Sequence, residues 1–579
     1  MADIEKKSPA VSINDSTKAA ATSPYEEKQL TGWESFKDGF RRHPDCTVIT
    51  PDMTEQERQI AATINSPLQR KLKNRHLQMI AIGGSIGTGL FVGSGSALRT
   101  GGPAGVLIGW ILVGTMMFST VHALGELAVT FPITGAFNTY AVRFIDPSWG
   151  FAMGFNYALQ WFVVFPLELV AASITVDYWE SDINGLVWVT LFWIGIVFIN
   201  FFGVKGYGEA EFVFSMIKVI AIIGYIILGI ILCAGGGPRG GYIGGKHWQN
   251  PGAFANGFKG VCTVFVTAAF SFAGTELVGL TAAETKKPRE SLPKAAKQVF
   301  WRITLFYIIS LTLVGLLVPY DDERLIGSSS VDAAASPFVI SIKNAGISVL
   351  PDIFNVVIMI AVLSVGNSSI YGCSRTLAAL AVQGLMPKQL GYIDKRGRPL
   401  VGIIATSIMG LLAYCSASDK KDDVFNWLLA LSGLSSIFTW GTICACHIRF
   451  RYALKCRGRD PFEELEFTSV AGVYGSWFGL ILNILILIFQ FWVALFPLGD
   501  DPNPEVFFMS YLAFPVIFSF YFGHKCYSKN WKFYLSIDEL DLDSGRREID
   551  IEVVKKEIAE EKASIALRPW WYRTYRFWC

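Results

Sequence analysis

The 579-residue chain is 52% hydrophobic and 17% charged, with a mean hydropathy of +0.39 and a formal net charge of +2. Apolar stretches of about 20 residues recur along most of its length, and a helix of that length crosses a bilayer. This pattern excludes a soluble multidomain protein. No basic patch with interleaved aromatic residues indicates nucleic-acid binding, and the ten cysteines are scattered without metal-ligand spacing, so neither a metal nor a cofactor is expected.

The chain order predicts a polar tail, an all-α polytopic membrane domain and a second tail. Residues 1–75 are rich in Ser, Thr, Glu and Lys, which is typical of a mostly disordered segment. The membrane domain is predicted at 76–524 with about twelve spans, and a C-terminal tail at 525–579. The approximate bounds of the spans are 77–98, 103–130, 150–177, 184–203, 211–234, 258–281, 299–319, 351–381, 401–417, 425–447, 473–497 and 506–524.

The loops between the spans alternate between basic and acidic, which predicts the orientation. Lysine and arginine collect on the cytoplasmic side of membrane proteins. The basic side carries Arg70, Lys71, Lys73, Arg75, Lys286, Lys287, Arg289, Lys294, Lys297, Arg302, Lys388, Lys395, Arg396, Arg398, Arg449, Arg451, Lys455, Arg457 and Arg459. The other side is acidic in most of its loops, with Arg99 as an exception. Both termini are therefore expected in the cytoplasm.

The first span contains a run of glycines, Gly83–Val92, with four glycines in its first seven positions. Each glycine costs a helix about 1 kcal/mol relative to alanine. The run lies about 15 Å into a core about 30 Å thick, and broken backbone at that depth must face protein or a cavity. A break there would free the amides of Thr88, Gly89 and Leu90 for an anion such as a carboxylate. The alternative is a glycine face for close helix packing.

The sixth span contains a second candidate break, Phe270–Glu276, with Gly274 and an acidic residue inside an apolar helix. An intramembrane carboxylate is expensive and is a functional candidate by default. Carbonyls freed by a break could hold an ammonium group. The alternative is that Glu276 snorkels to the inner face. Interruptions in helices one and six would stand at corresponding positions of two five-helix units, which is a pointer to a transporter binding site.

Four further polar side chains lie within the spans. Lys218 either snorkels to the cytoplasm or, if desolvated, carries a proton. Glu126, near the inner end of the second span, is interpreted mainly as a packing or loop-anchoring carboxylate. Glu168 could line a cavity or pair with a cation, and a structural role is an equal alternative. Asn367 is interpreted as polar glue between helices, with cavity lining second.

Five segments together resemble the fungal amino acid permeases of the amino acid–polyamine–organocation superfamily, over about residues 70–525. They are GGSIGTGLFVGSG (83–95), GELAVTFPITGAF (125–137), FPLELVAASITVDYW (165–179), SFAGTELVGLTAAETKKPRE (271–290) and LSVGNSSIYGCSRTLAALA (363–381). The ending YRTYRFWC is most similar to the general amino acid permeases. The resemblance implies a five-plus-five inverted repeat of the LeuT-like type, with twelve helices and with helices one and six broken.

The resemblance also implies roles for individual residues. The substrate carboxylate would bind at Ser85, Ile86, Gly87, Thr88 and Gly89. The substrate amine would bind at Phe270, Ser271, Phe272, Ala273 and Gly274, with Phe270 in the place of an aromatic gate that is tryptophan in some bacterial relatives. Glu276 matches an acidic position of the family. Lys218 matches a lysine that occupies the place of a sodium ion in proton-coupled members.

The leading hypothesis is a plasma-membrane permease that imports amino acids with protons. Its resemblance to the general permeases implies a broad specificity, and a proton gradient takes the place of a cofactor. The alternatives are an amino acid sensor that signals through its tails, and a permease of narrow specificity. A membrane enzyme is disfavoured because the sequence has no metal-ligand cluster, nucleophile elbow or phosphate loop. Tail lysines such as Lys6, Lys7 and Lys18 are candidate sites for a ubiquitin ligase, and Cys579 is a candidate for palmitoylation, with an unmodified docked tail as the alternative.

Overall fold

The computed structural model describes residues 34, 37–43, 68, 72–84, 86–133, 135–179, 183–285, 288–326, 336–417, 421–499, 501–544, 546 and 568–569. The chain divides into two units, Met1–Arg41 and Arg42–Cys579, and the helices below all belong to the second. Within the described residues no β-strand occurs; two isolated bridges join Arg42 to Asp394 and Leu72 to Thr285. The prediction of an all-helical fold is confirmed for this part of the chain.

Nineteen helices are numbered here in chain order. They are α1 Asn74–Gly83, α2 Thr88–Phe91, α3 Gly93–Thr130, α4 Ala136–Phe144, α5 Pro147–Asp177, α6 Gly185–Phe201, α7 Gly203–Cys233, α8 Gly257–Phe272, α9 Leu277–Leu280, α10 Pro288–Arg302, α11 Ser310–Leu317, α12 Pro337–Asn344, α13 Leu350–Val382, α14 Leu400–Met409, α15 Lys421–Cys456, α16 Pro461–Glu464, α17 Gly472–Leu495, α18 Pro504–Tyr511 and α19 Ala513–Ser528. A π-helical segment, Ile303–Ile309, joins α10 to α11, and 3₁₀ turns over Gly410–Ala417 extend α14.

Eight helices among the described residues are long and apolar enough to cross a membrane, or nine if α18 and α19, bent by 65°, form one span. Two shorter apolar helices, α6 and α14 with its extension, accompany them. Helix α3 contains a kink at Gly102, whose φ of +72° favours glycine and is followed by Pro103. The kink lies at the predicted boundary between the first and second spans. The chain is therefore a multi-pass membrane protein.

Burial separates central helices from peripheral ones. In α5, and in α8 with α9, 89% of the most apolar stretch is buried, against 28% in α7 and 33% in α17. Large side chains such as Ile220 on α7 and Ile488 on α17 are more than half exposed. In a membrane those faces meet lipid, because hydrocarbon tails solvate aliphatic side chains as well as a protein interior does. Helices α5 and α8 therefore form the centre of the fold.

The residues at the start of the central helix α5 favour helix initiation. Asp146 accepts a hydrogen bond from the backbone N–H of Trp149 at 3.1 Å, and Pro147 occupies the first helical position. The second oxygen of Asp146 accepts from Lys525 Nζ at 2.9 Å. The same carboxylate thus caps α5 and ties it to α19, the last helix.

The chain after α19 lies against the end of the molecule where α5 begins. We call residues 530–544 the C-terminal strap. Its Leu535 N–H donates to Ile145 O at 2.8 Å, Asp541 pairs with Arg143 at 3.4 Å, and Leu542 is fully buried. Burial raises the pKa of a carboxyl, but here the Arg143 charge and the Ser544 N–H outweigh it and hold the pKa of Asp541 below its ordinary value.

Asp541→Asn should loosen the C-terminal strap. A carboxyl with a lowered pKa stabilises the docked form above its ordinary pKa, and the stabilisation is lost as the pH falls through the lowered value. Removing one such pair costs about 1 kcal/mol, or about fivefold in the opening equilibrium. Hydrogen–deuterium exchange of residues 530–544 at neutral pH measures it, with the exposed Asp538→Asn as the matched control. Equal exchange in both variants would show that the ion pair contributes nothing.

Candidate functional site

Helix α1 ends at Gly83 and the chain resumes helical structure at Thr88, so the first span is broken at residues 84–87. Gly87 has an extended backbone, with φ −158° and ψ −147°. Because α2 starts at Thr88, the amides of Thr88 and Gly89 have no partner within the helix. The expectation for Leu90 is wrong, since its N–H donates to Gly87 O at 3.1 Å. Ser85 lies outside the described residues.

The second break is shorter than predicted and begins later. Helix α8 continues through Phe272, so Phe270, Ser271 and Phe272 are helical, and the break covers residues 273–276 before α9. Ala273 is extended, and Gly274 has φ +91°, which favours glycine. The last turn of α8 tightens before the break, because Ala273 N–H donates to both Ala269 O and Phe270 O.

The two broken helices touch one another. A Cβ atom built on Gly89 would lie 2.5 Å from Ser271 Cα and 2.8 Å from Ser271 N. Both are backbone atoms, which cannot move aside as a flexible side chain can. Glycine at position 89 therefore permits a contact between α2 and α8 that no other residue type allows.

A small cavity lies between the breaks and encloses about 10 Å³, about what one water molecule needs. Its lining residues come from both broken helices, from α5 and from α13: Gly87, Thr88, Gly89, Trp161, Val164, Glu168, Phe270, Ala273 and Val365. The volume is too small for an amino acid, so the site has to widen to admit one. Larger cavities of about 330 Å³ and 250 Å³ lie elsewhere, and neither break lines them.

Glu168 is the charged group of this cavity lining. Thr88 Oγ1 donates to Glu168 Oε2, so α2 and α5 are joined across the cavity. The other carboxylate oxygen, Oε1, is buried and accepts no hydrogen bond from the described residues. An acceptor in that position costs free energy unless a donor arrives. The geometry therefore offers one unsatisfied carboxyl oxygen on the residue that binds the Thr88 side chain.

Glu276 does not line the cavity. Its Oε1 accepts from Gly274 N at 3.2 Å and from Tyr157 OH at 3.3 Å, and its Oε2 accepts from Trp440 Nε1 at 3.2 Å. The side chain is fully buried and does not reach the surface, contrary to the snorkelling alternative. Glu276 instead holds the break of α8–α9 against α5 and α15. Ile86, Ser271, Phe272 and Gly274 are also absent from the cavity lining.

Lys218 lies beneath the first break and is fully buried, so it does not snorkel. Its Nζ donates to Ser364 Oγ at 2.8 Å and lies 3.5 Å from Glu211 Oε1. Glu211 was not among the residues selected from the sequence. The signal that could have found it is spacing, because positions 211 and 218 lie two helical turns apart on one face.

Arg302 is a correction to the sequence analysis, which placed it in a basic loop. It is fully buried at the end of α10. Its Nη1 donates to Ala81 O at 2.7 Å, and its Nη2 donates to Thr275 Oγ1. One guanidinium thus links α1 to the second break. Sequence reasoning missed it because Arg302 follows a run of cations, of which Arg289, Lys294 and Lys297 lie on α10.

The remaining predicted residues take part in contacts away from the cavity. Glu126 pairs with Arg451 at 2.6 Å and His447 at 3.1 Å, and accepts from Ser469 N at 2.7 Å. Asn367 Oδ1 accepts from Asn200 Nδ2 at 2.8 Å, which joins α13 to α6. Both side chains connect helices and are fully buried.

Two interrupted helices meeting at a buried polar cavity are typical of membrane transporters. The family model described as amino acid permease matches residues 76–536. The chain belongs to the amino acid permease family. Permeases move a substrate across a membrane without converting it.

Three relatives show how far the similarity extends. The general amino-acid permease GAP2 of Candida albicans is 65% identical over 550 residues, covering 95% of this chain and 93% of that protein. The general amino-acid permease GAP1 of Saccharomyces cerevisiae is 61% identical over 568 residues, covering 97% and 94%. The histidine permease of Saccharomyces cerevisiae is 50% identical over 558 residues, covering 95% and 90%.

Proposed function

We propose that this protein imports α-amino acids across the plasma membrane by proton symport and accepts a broad range of side chains. The observation that carries the proposal is the cavity in which Gly87 of the first break, with Thr88 and Gly89 of α2, faces Phe270 of α8 and Ala273 of the second break. The general amino-acid permeases at 65% and 61% identity support amino acids as the substrate class and the breadth of the range.

The proposed topology has twelve spans, both termini in the cytoplasm and a five-plus-five inverted repeat. The eight long helices, the bent pair α18–α19 and the two shorter apolar helices are candidates for eleven of the spans. The twelfth is the broken first helix, which Gly102 separates from the rest of α3. Breaks in the first and sixth spans of this count support the repeat, because the two positions correspond in successive five-helix units.

The proposed substrate pose uses groups from both broken helices and from α5. The substrate carboxylate binds the amides of Thr88 and Gly89, which the helix leaves unpaired. The ammonium group binds carbonyls of the second break and the open oxygen of Glu168. Phe270 covers the pocket as an aromatic gate. The side chains of Trp161, Val164 and Val365, which also line the cavity, face the variable part of the substrate.

Other predicted residues are proposed to support this site rather than touch the substrate. Ile86, Ser271, Phe272, Gly274 and Glu276 shape the two breaks, while the expected role of Ser85 concerns a residue outside those described. Lys218 is proposed to take part in proton coupling, since its side chain is fully buried next to Glu211. Glu126 and Asn367 hold helices together. The proposed ubiquitin acceptors Lys6, Lys7 and Lys18, the trafficking partners of the tails and the palmitoylation of Cys579 concern residues outside those described.

Glu168→Gln should raise the KM for amino acids by about tenfold, because a hydrogen bond between charged groups contributes about 1.5–3 kcal/mol. The amide keeps the size of the side chain and its bond with Thr88 but removes the charge that attracts the ammonium group. Uptake of a labelled amino acid as a function of concentration measures the change. A matched control is Glu209→Gln, which alters a partly exposed carboxylate paired with Arg75. An unchanged KM in Glu168→Gln would contradict the proposed pose.

The experiment that tests the function uses purified protein in proteoliposomes with an imposed pH gradient. One pH unit corresponds to 1.36 kcal/mol, so coupling to one proton holds about a tenfold concentration ratio of the amino acid. Accumulation should disappear when the pH gradient and the membrane potential are both collapsed. Accumulation that survives this collapse would contradict proton symport. Specific binding without any flux would favour the sensor hypothesis instead.

A further inference from the structure

A fully buried polar cluster lies where α1, α7 and α13 meet. Glu211, Ser215 and Lys218 are spaced four and three residues apart on α7, which places them on one face of the helix. That face meets Ser364 of α13 and Gly83 of α1. All four polar side chains have no exposed surface.

The distances within the cluster connect its members into one network. Ser364 Oγ lies 2.7 Å from Glu211 Oε1 and 2.8 Å from Oε2, and donates to the carboxylate. The same hydroxyl accepts from Lys218 Nζ at 2.8 Å, while Nζ lies 3.5 Å from Glu211 Oε1. Ser215 Oγ donates to Glu211 Oε1 at 3.3 Å. The serine hydroxyl of α13 thus joins the ammonium group to the carboxylate.

The chemistry of the two charged groups decides where an added proton goes. An ammonium group has three donor hydrogens and no lone pair, so Lys218 cannot accept one. A carboxylate has lone pairs on both oxygens and can accept one. Losing a proton from Lys218 would leave Glu211 as an unpaired buried anion, which is costly. Protonating Glu211 leaves a buried cation, but Lys218 then still has Glu168 as a second carboxylate acting on it. The carboxylate is therefore the group whose protonation changes while the cation stays in place.

The first broken span packs directly against this cluster. A Cβ atom on Gly83 would lie 2.4 Å from Ser215 Cβ and 2.9 Å from its Cα, so α1 is pressed directly against α7. Gly83 is also the last residue of α1 before the break. A displacement of α1 when substrate enters or leaves would expose Glu211 to water, and the contact as it stands seals it.

The surrounding charges are few. Glu168 on α5 and Arg302 on α10 both act electrostatically on Lys218, and Tyr207 on α7 interacts with Glu211. The contacts from α1 and α13, Gly83 and Ser364, carry no charge. No competing base therefore lies in direct contact with the carboxylate among the described residues.

We propose that Glu211 takes up and releases the coupled proton, while Lys218 remains charged throughout the cycle as its fixed counter-ion. This inference rests on the proton symport proposed above. On the outer side, a hydronium ion transfers its proton to a carboxylate oxygen of Glu211; one O–H bond breaks, one forms, and the cluster changes from neutral to a charge of plus one. On the inner side the carboxylic acid returns the proton to water.

Two substitutions separate this proposal from a mechanism in which Lys218 itself loses a proton. Glu211→Gln imitates the protonated carboxyl permanently. Lys218→Arg keeps a cation that cannot be deprotonated in a protein. Both are measured in proteoliposomes as accumulation under a pH gradient and as amino acid exchange without a gradient. Glu209→Gln, a partly exposed carboxylate on the same helix, is the control.

We expect Glu211→Gln to exchange amino acids but to lose accumulation at every external pH, so that the concentration ratio falls from about tenfold to about one for a gradient of one pH unit. Lys218→Arg should still accumulate. If Glu211→Gln accumulates at any pH, or if Lys218→Arg exchanges without accumulating, the proposal is overturned. If Lys218→Arg does not exchange amino acids at all, the accumulation measured for Glu211→Gln alone decides whether the proposal stands. Wild-type protein that exchanges without responding to the gradient would refute proton symport itself, which is a separate result.

Discussion

Gly89→Ala should abolish most transport, with a fall in the uptake rate of at least about tenfold. The added methyl group would meet the Ser271 backbone at 2.5 Å, so the two broken helices would have to separate. Overpacking of this kind costs about 1–3 kcal/mol. The strain falls on the contact that positions Thr88 and Gly89 opposite the second break. The effect therefore appears in transport even if the protein remains folded.

The measurement is initial uptake of a labelled amino acid, normalised to the amount of folded protein. Gly224→Ala is the matched control, because a Cβ atom there meets no other atom within 4 Å. It is an exposed glycine on α7, within an apolar span. If Gly89→Ala transports as fast as Gly224→Ala, the close contact between α2 and α8 has no role in the transport cycle.

Lys218→Met should abolish proton-driven accumulation but leave the exchange of amino acids intact. Without the ammonium group, the buried Glu211 has no counter-ion and remains protonated, because an isolated buried carboxylate is too costly. Proton-driven accumulation should then fall from about tenfold to about one for a gradient of one pH unit. Exchange of internal for external amino acid should continue, since the cavity residues are unchanged.

Proteoliposomes loaded with unlabelled amino acid measure the exchange, and empty ones with a pH gradient measure the accumulation. Lys205→Met is the control, since Lys205 is an exposed lysine on the same helix. Wild-type accumulation by Lys218→Met would remove this residue from the coupling mechanism.

Much of the fold could be predicted because glycine and hydrophobic patterns report directly on membrane helices. The run Gly83–Val92 does contain the break of the first span. This break could be predicted because the glycine content of a segment can be seen from the local sequence alone. The sequence predicts that the second break begins at Phe270, which is three residues before its start in the structure. The end of α8 at Phe270, Ser271 and Phe272 is stabilised by Tyr307, which donates to Ser271 O and packs against Phe272, with ring centres 4.4 Å apart. Those contacts come from a distant helix.

The site was less predictable, because its residues are brought together by packing between helices. Glu276 has the strongest local signal, an acid beside a glycine, yet its carboxylate is occupied by Tyr157 and Trp440. The sequence around Glu211 and around Arg302 gives little indication of a function. The contacts that both residues make in the structure give more. Charge counts alone cannot separate a loop arginine from one that binds Ala81 O inside the protein.

The most direct test of the central claim compares an α-amino acid with two analogues of it. The site is proposed to bind a carboxylate at the first break and an ammonium group at the second, so both groups are needed. A labelled amino acid should be displaced by its unlabelled form and by many other α-amino acids. The matching amine without a carboxylate, and the matching acid without an amine, should displace it at least about tenfold less well. Equal displacement by either analogue would contradict a site built from both broken helices.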